Sequence, residues 1–319
     1  MQKITAADQA YIVKNGEITA LPPGRYQTDD ELIATRQYFD SVEEKRKDKV
    51  REVLATREKL YTRVKLDELG QYILIKVKMI PQDDEITAAN LGRLVYLSTY
   101  CDYHNRLMLT ERTIMRKSNL PEVLNLSKKQ ERDFRREMIQ AGYLQESNGE
   151  FYINDRFLYR GERQERTYNQ KMKMFINTVR NIYKSLKPRN HKYFGLIVQL
   201  VPYVNRRYNI ICRKEDAEEI ELEKIHALTI TDICRITNYD VNNYNNLLGI
   251  LVGLLFDVNG YQQSACSLVS YFGNGVSKYR FYFNPRLLFI GDYEDYAILK
   301  QHCDFFPQAV KSIRQLKNL

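Results

Sequence analysis

The chain has 319 residues, 44% of them apolar, which is longer than one ordinary domain and apolar enough for two real cores. Lys and Arg outnumber Asp and Glu by 49 to 40, a net charge of +9 that favours a polyanionic partner. Cys101, Cys212, Cys234, Cys266 and Cys303 contain no C-x-x-C pair, which excludes a zinc ribbon or dithiol motif and points to a reducing cytosol; no apolar signal segment opens the chain, and the longest apolar run, Leu247 to Phe256, is too short for a bilayer.

Residues 1–86 read as an N-terminal extension. The first 27 are irregular, with a turn at Pro22-Pro23-Gly24. Thr28 is then an N-cap, and Asp29, Asp30 and Glu31 suit the start of a helix running to about Arg63. Its charges between Glu43 and Lys49 have mixed signs, which reads as a solvated face. Alternation from Gln71 to Ile80 predicts a strand, and Pro81 ends it.

Residues 87–161 form a first module. A helix from about Thr87 to Tyr103 buries Leu91, Leu94, Val95 and Leu97, and Arg106 to Leu109 make a short strand. Thr110 caps a second helix that turns Ile114 inward. Ser127 caps a third, which runs to Ala141 and stops at Gly142. Asn148-Gly149 between two extended runs is a hairpin turn, because both central positions need positive φ.

Residues 162–190 read as a connector. Met172, Phe175, Ile176, Val179, Ile182, Tyr183 and Leu186 predict an amphipathic helix over 163–186, with Arg163, Arg166, Lys171, Lys173, Arg180 and Lys184 on its polar face. Residues 191–292 repeat the order of the first module. A helix covers about His191 to Asn205, a strand Tyr208 to Cys212, and an acidic, solvated insertion follows. Thr229 or Thr231 caps a second helix and Asp240 a third, ending near Phe256. A hairpin of Ser264 to Phe272 and Ser277 to Asn284 turns at Gly273-Asn274-Gly275. Residues 293–319 form a last helix.

Three collinear matches tie the modules together. Leu109 to Asn119 and Leu228 to Asn238 share the frame Leu-Thr-x-x-x-Ile-x-Arg-x-x-Asn. Phe151 to Gly161 matches Phe281 to Gly291, and Gly92, Val95, Leu97 and Tyr100 match Gly195, Val198, Leu200 and Tyr203. Offsets that grow along the chain suggest one ancestral module, copied and then lengthened. The predicted class is mainly α with small β-hairpins (α+β): two tandem winged helix-turn-helix domains joined by an amphipathic helix.

The third helix of the first module is the strongest site. Phe134, Met138 and Ala141 form its core stripe. Lys128, Lys129, Arg132, Arg135 and Arg136 gather opposite, within an arc of about 120° at helical spacing. Such a face suits the DNA major groove, where Arg pairs with guanine edges and both cation types neutralise phosphate. Arg112, Arg116 and Lys117 on the second helix are candidate phosphate contacts, although Arg116 equally suits a structural ion pair. Arg156 and Arg160 flank the wing's exit, and Lys278 and Arg280 lie on the second wing.

Aligning the second module through Gly253, opposite Gly142, sets Tyr239, Asp240, Asn243, Asn246 and Leu247 against the five cations of the first. The apolar run 247–256 then exceeds the needs of one helix face, which makes the second module either deeply buried there or a site of self-association. Catalysis finds no support. No G-x-x-x-x-G-K-[ST] loop, H-x-H pair or His-x-x-Arg occurs, and neither metal nor cofactor is expected.

With two winged helices, a connecting helix and the ending Phe-Tyr-x-Asn-(Asp/Pro)-Arg-x-Leu-x-x-Gly, the chain resembles the winged-helix replication initiators of plasmids and phages. Phe283 to Gly291 is similar to the Asn-Pro wing ending of Gram-positive examples. The resemblance covers roughly Thr87 to Asp292, and related phage regulators and repressors share it. It implies a non-enzymatic, sequence-specific double-stranded DNA-binding protein in the cytoplasm of a bacterial host. Self-association and contacts with replication or transcription machinery would accompany that role, with no membrane association. The alternatives are a repressor built on the same module, or a protein-binding adaptor whose winged helices do not touch DNA.

Overall fold

The computed structural model describes residues 11–14, 17–20, 28–31, 33–34, 36–38, 40–49, 70–81, 86–160, 171–258, 260–273 and 276–289. The chain divides into two units, Met1–Lys65 and Leu66–Leu319. The class is mixed α and β, with small antiparallel sheets. Among the described residues no helix is long and apolar enough to cross a membrane.

In the first unit, strands β1 (Tyr11–Lys14) and β2 (Glu17–Ala20) pair where an irregular start was expected. Helix α1, described at 29–31, 33–34, 36–38 and 40–49, begins at Thr28 as anticipated. The Thr28 Oγ1 accepts from the Glu31 amide at 3.3 Å while the Glu31 carboxylate accepts from the Thr28 amide at 3.2 Å, a reciprocal cap. The remainder of the predicted helix, to Arg63, lies outside the described residues.

The second unit is organised about a four-stranded antiparallel sheet. Strand β3 (Tyr72–Lys76), shorter than the predicted 71–80, pairs with β6 (Leu158–Arg160) on one side and β7 (Lys171–Phe175) on the other; β12 (Leu288–Phe289) pairs with β7. Each central strand is thus joined by the strand that closes the module after it. Lys171–Phe175 were expected within the connector helix, which begins only at Ile176 as α5 (Ile176–Ser185). Pairing with β3 overrides the helical spacing of Met172 and Phe175, because the ladder satisfies backbone groups that a helix would satisfy internally. The basic stretch 161–170 lies outside the described residues.

Against this sheet the first module places α2 (Ala88–Ser98), α3 (Leu120–Val123), α4 (Lys128–Gln140), and the hairpin of β4 (Leu144–Ser147) and β5 (Glu150–Ile153). The second places α6 (His191–Gln199), α7 (Ile230–Ile236), α8 (Tyr244–Gly253), and the long hairpin of β10 (Cys266–Gly273) and β11 (Val276–Phe283). An additional hairpin, β8 (Leu255–Val258) with β9 (Tyr261–Ser264), intervenes. The predicted end of α8 at Phe256 is therefore too late: the chain leaves the helix at Leu254 and extends. Leu247, Ile250, Leu251, Val252, Leu254 and Phe256 are all buried, so core packing within the chain absorbs most of the long apolar run.

The same hydrogen bonds recur in both modules. Asn105 (φ 60°) and Asn209 (φ 52°) take the left-handed conformation. Asn105 Nδ2 donates to the carbonyls of Ile153 and Leu158 at 3.2 and 3.0 Å; Asn209 Nδ2 donates to those of Phe283 and Leu288 at 3.4 and 2.8 Å. The amides of Leu107 and Ile211 donate to Phe151 and Phe281, both at 2.8 Å, and those of Met108 and Cys212 donate to Tyr100 and Tyr203. The amides of Arg156 and Arg286 donate to the side chains of Asn154 and Asn284, both at 2.9 Å.

Two of the three sequence matches are thereby in register, but the frame at Leu109 and Leu228 is not. Leu228 donates its amide to Ile211 as Met115, not Leu109, donates to Leu107, each at 3.0 Å. Asn119 begins α3 with φ −84°, whereas Asn238, with φ 49°, sits after α7 as Asn125, with φ 53°, sits after α3. Thr110 caps no helix. Its Oγ1 accepts from the Thr113 amide at 3.1 Å in a turn, and Ile114, expected inward on a helix, is half-buried and bridges Met108. The four-residue α3 begins nine residues further on because Pro121 suits the first turn of a helix and the Thr110–Asn119 stretch is closed by its own turns.

The modules meet where α2 crosses α6. A Cβ on Gly92 would lie 2.9 Å from the backbone of Gly195 and His191, and one on Gly195 would lie 1.6 Å from the Ala88 carbonyl oxygen. Behind the crossing, Tyr96 and Tyr183 stack at 3.7 Å, and Tyr183 stacks on the fully buried His191 at 4.1 Å. His191 Nδ1 accepts from Arg93 Nε at 3.4 Å and lies 3.0 Å from the Tyr183 hydroxyl, which donates to the Leu124 carbonyl at 2.9 Å. Burial, and then the facing Arg93 guanidinium, push the His191 pKa down to about 4.

Two outcomes are expected. Gly195→Ala should destabilise the fold by about 3 kcal/mol or more in denaturant unfolding, because backbone atoms must move apart. The unfolded chain takes up a proton on His191 near the ordinary histidine pKa, while the folded chain resists until about pH 4. Stability should therefore fall as pH drops from about 6.5 to 4, and be unaffected by this group above that window. A His191→Phe variant should show a shallower loss over the same range; an unaltered pH profile would count against this assignment.

Candidate nucleic-acid interface

Helix α4 starts at a capping box. Gln130 donates its amide to Ser127 Oγ at 3.3 Å, and the Ser127 amide donates to the Gln130 side chain at 3.2 Å. Phe134 and Met138 are buried as the apolar stripe requires, and Gly142 at φ 76° ends the helix. Asn148 (φ 54°) and Gly149 (φ 69°) make the turn between β4 and β5, the arrangement in which both central residues adopt positive φ.

The five cations singled out on this helix divide in two. Lys128, Lys129 and Arg132 are exposed and have no side-chain partner among the described residues. Arg136 is exposed as well, with a 3.3 Å contact to Asp133. Arg135 is different. Its Nε lies 2.9 Å from the buried Glu131 carboxylate and its Nη1 3.4 Å from Glu146 on β4, with 13% of the side chain exposed. It clamps helix to hairpin, and its guanidinium is spent on those carboxylates. Glu131 falls on the inner side of α4 by helical spacing, and that was the one signal in the sequence that Arg135 had a partner.

Away from α4, Arg116 is also committed. Its Nη1 donates to the carbonyls of Asn148 and Gly149 at 3.4 and 3.0 Å, and its Nη2 lies 3.5 Å from Glu150. The hairpin turn is thus held to the segment before α3. Arg112 and Lys117, on the neighbouring turn rather than on a helix, are exposed, as is Arg156 after β5, and none of the three has a side-chain partner among the described residues. Arg160 donates to the Cys101 carbonyl at 2.9 Å and to Gln71, and lies 5.3 Å from the Tyr103 ring centre, a structural role. Arg280 donates to the Leu222 carbonyl at 3.2 Å. The Lys278 side chain lies outside the described residues.

Of the connector's cations within the described residues, three are engaged too, and Arg163 and Arg166 lie outside them. Arg180 donates to the Thr99 hydroxyl and carbonyl at 2.9 and 2.8 Å and covers the Tyr100 ring at 4.1 Å. Lys171 and Lys173 lie 5.3 and 5.4 Å from the rings of Tyr159 and Tyr72. Lys184 is exposed.

In the second module the alignment through Gly253 fails on packing, since it sets exposed Asn245 against buried Phe134. The capping residues and the core give a different register: Asp240 opposite Ser127, Leu247 opposite Phe134, Leu251 opposite Met138. Val241, Asn242, Asn245, Leu248 and Gly249 then occupy the places of the five cations. This face carries no charge, and its exposed side chains are chiefly amides.

Comparison of the chain with protein-family models, with curated proteins and with solved structures finds no match. Among the described residues no cluster of His, Cys, Asp or Glu has the arrangement to hold a metal ion.

Because Arg135 neutralises a buried carboxylate, Arg135→Ala should lower stability by about 3 kcal/mol. Arg136→Ala should change it by no more than about 0.5 kcal/mol, its ion pair being exposed. Thermal unfolding of the two variants side by side tests this: equal stabilities would remove Arg135 from its structural role.

Proposed function

We propose that the second unit is a pair of winged helix-turn-helix domains descended from one duplicated module, and that it binds double-stranded DNA through α4 without catalysing a reaction. The recurrence of the asparagine clasp, the strand-end hydrogen bonds and the order of three helices followed by a hairpin supports the duplication. The DNA reading is carried by one observation. Lys128, Lys129 and Arg132 stand exposed on a capped helix with no acidic partner, beside a hairpin clamped to that helix by Arg135.

Within this reading Arg132 is the base-reading side chain and Lys128 and Lys129 are phosphate contacts. Arg112, Lys117, Arg136 and Arg156 add to the surrounding field. Arg135, Arg116, Arg160 and Arg280 hold the fold. The second module contributes weakly to affinity because its equivalent helix face is neutral, with Asn242 and Asn245 suited to adenine edges. Most apolar side chains between Leu247 and Phe256 are buried in the chain's own core, so that run no longer argues for self-association.

In its specific form the proposal is a plasmid or phage replication initiator in a bacterial cytoplasm, from the resemblance of the wing endings at Asn154 and Asn284. A regulator would use the same helix. Selection of bound sequences from mobile-element and host DNA separates the two: direct repeats in an origin support initiation, and a promoter palindrome supports regulation.

Arg132→Ala should weaken binding to a selected duplex by roughly 1–3 kcal/mol and relax discrimination at one position. Lys128→Ala with Lys129→Ala should weaken all duplexes alike and flatten the dependence on salt. If the wild-type chain shows no salt-sensitive duplex binding, the adaptor reading takes its place.

A further inference from the structure

A cleft of about 540 Å³ opens between the first turns of α4 and α6. Gln130 of α4 lies on one wall, Arg93 of α2 at the base, and Lys187, Pro188, Arg189 and Lys192 on the other wall. No acidic residue lines it. Lys187, Arg189 and Lys192 are exposed, and none has an ion pair among the described residues. Like charges gathered on one wall repel, so the arrangement carries a standing cost that an anion would offset.

The wall is stiff. Pro188 opens a short 3-10 turn, Pro188–Asn190, closed by the Asn190 amide donating to the Lys187 carbonyl at 2.8 Å and leading directly into α6. Lys192 follows in the first turn of α6. Arg93 is half-buried, and its acceptors are the neutral Asn90 Oδ1 at 2.5 Å and His191 Nδ1 at 3.4 Å. Glu137 accepts from Asn90 Nδ2 at 2.8 Å and acts on Arg93 at longer range. Burial lowers the Arg93 pKa, outweighing the opposing influence of Tyr183 and Glu137.

Gln130 shares its helical turn with Lys128 and Lys129, so the cleft adjoins the end of α4 assigned to phosphate contact. We propose that the cleft lined by Arg93, Lys187, Arg189 and Lys192 is a second, sequence-independent contact for the phosphate backbone of the duplex that α4 reads. This rests on the DNA-binding reading above. It assigns to the entry of the second module a role that the module's neutral third helix does not supply: Lys187 and Arg189 end the connector, Lys192 lies in the first turn of α6, and together they grip the backbone.

The test is equilibrium binding of the full-length chain to two probes over a salt series, one a duplex recovered by selection and the other a duplex of random sequence. Combined K187A, R189A and K192A substitutions should reduce affinity for both probes by the same factor, leave the ratio between them unchanged, and lower the slope of log affinity against log salt by about 2–3. Replacing Lys187 and Lys192 by Arg should restore the slope. The corresponding single variants, each altering an exposed side chain, carry the same test in smaller steps should the triple variant lose its fold. An unaltered slope in the triple variant, with K128A/K129A still flattening it, would overturn the cleft assignment and leave the α4 reading standing. Loss confined to the selected duplex would overturn it as well, because it would make the contact sequence-dependent. A wild-type chain with no affinity for either probe would overturn both readings.

Discussion

The close crossing of α2 and α6 is the constraint on which the second unit depends. Two helices can approach backbone to backbone only where neither presents a side chain, and Gly92 and Gly195 supply that place from opposite modules. The approach brings His191, Tyr183 and Arg93 into a single buried cluster. It also leaves β3 and β7 adjacent, so that two modules share one sheet and one core. Packing there has little tolerance, since interiors are as dense as organic crystals and an added methyl meets backbone, not a mobile side-chain end.

Around that crossing the chain uses its excess of positive charge in two ways. Several arginines predicted at the surface act as internal fasteners: Arg135 joins helix to hairpin, Arg116 holds the hairpin turn, Arg160 and Arg180 tie loop carbonyls. Guanidinium groups suit that task because their several donors lie in a fixed plane. Among the described residues, the cations without an ion pair include Lys128, Lys129 and Arg132 on the outer side of α4 and Lys187, Arg189 and Lys192 at the entry to α6. Net charge alone does not distinguish these classes. What does is whether a carboxylate or carbonyl lies within reach, and the buried Glu131 settles that for Arg135.

The repeated asparagine clasp shows how one backbone solution serves different sequences. Asn105 and Asn209 adopt left-handed backbone, which Asn tolerates better than other side chains, and each then uses its amide to hold two carbonyls at the end of its module. The surrounding residues differ freely. Between Leu254 and Cys266 the second module accommodates an entire extra hairpin without disturbing these bonds, because the insertion leaves and returns at the base of the β10–β11 hairpin.

Much of this was legible in the residues themselves. The cap at Ser127, the stripe of Phe134 and Met138, the stop at Gly142 and the Asn148-Gly149 turn are local: each depends on backbone conformation and on neighbours within one or two turns. Burial of α4's inner face follows from the same short-range pattern. By contrast, the strand at Lys171–Phe175 was hidden behind a helical spacing, since only the presence of β3 alongside makes extension favourable. The Leu109 and Leu228 frame matched letter for letter yet fell out of register, because hydrogen bonds to Leu107 and Ile211, distant in sequence, decide which residues are equivalent. The sequence by itself determined the local elements and the sign of the charge. Tertiary structure decided which residues correspond and which cations outside α4 are engaged, because Leu228 and Ile211, Arg116 and Gly149, or Arg180 and Thr99 come within hydrogen-bond distance only in the packed fold.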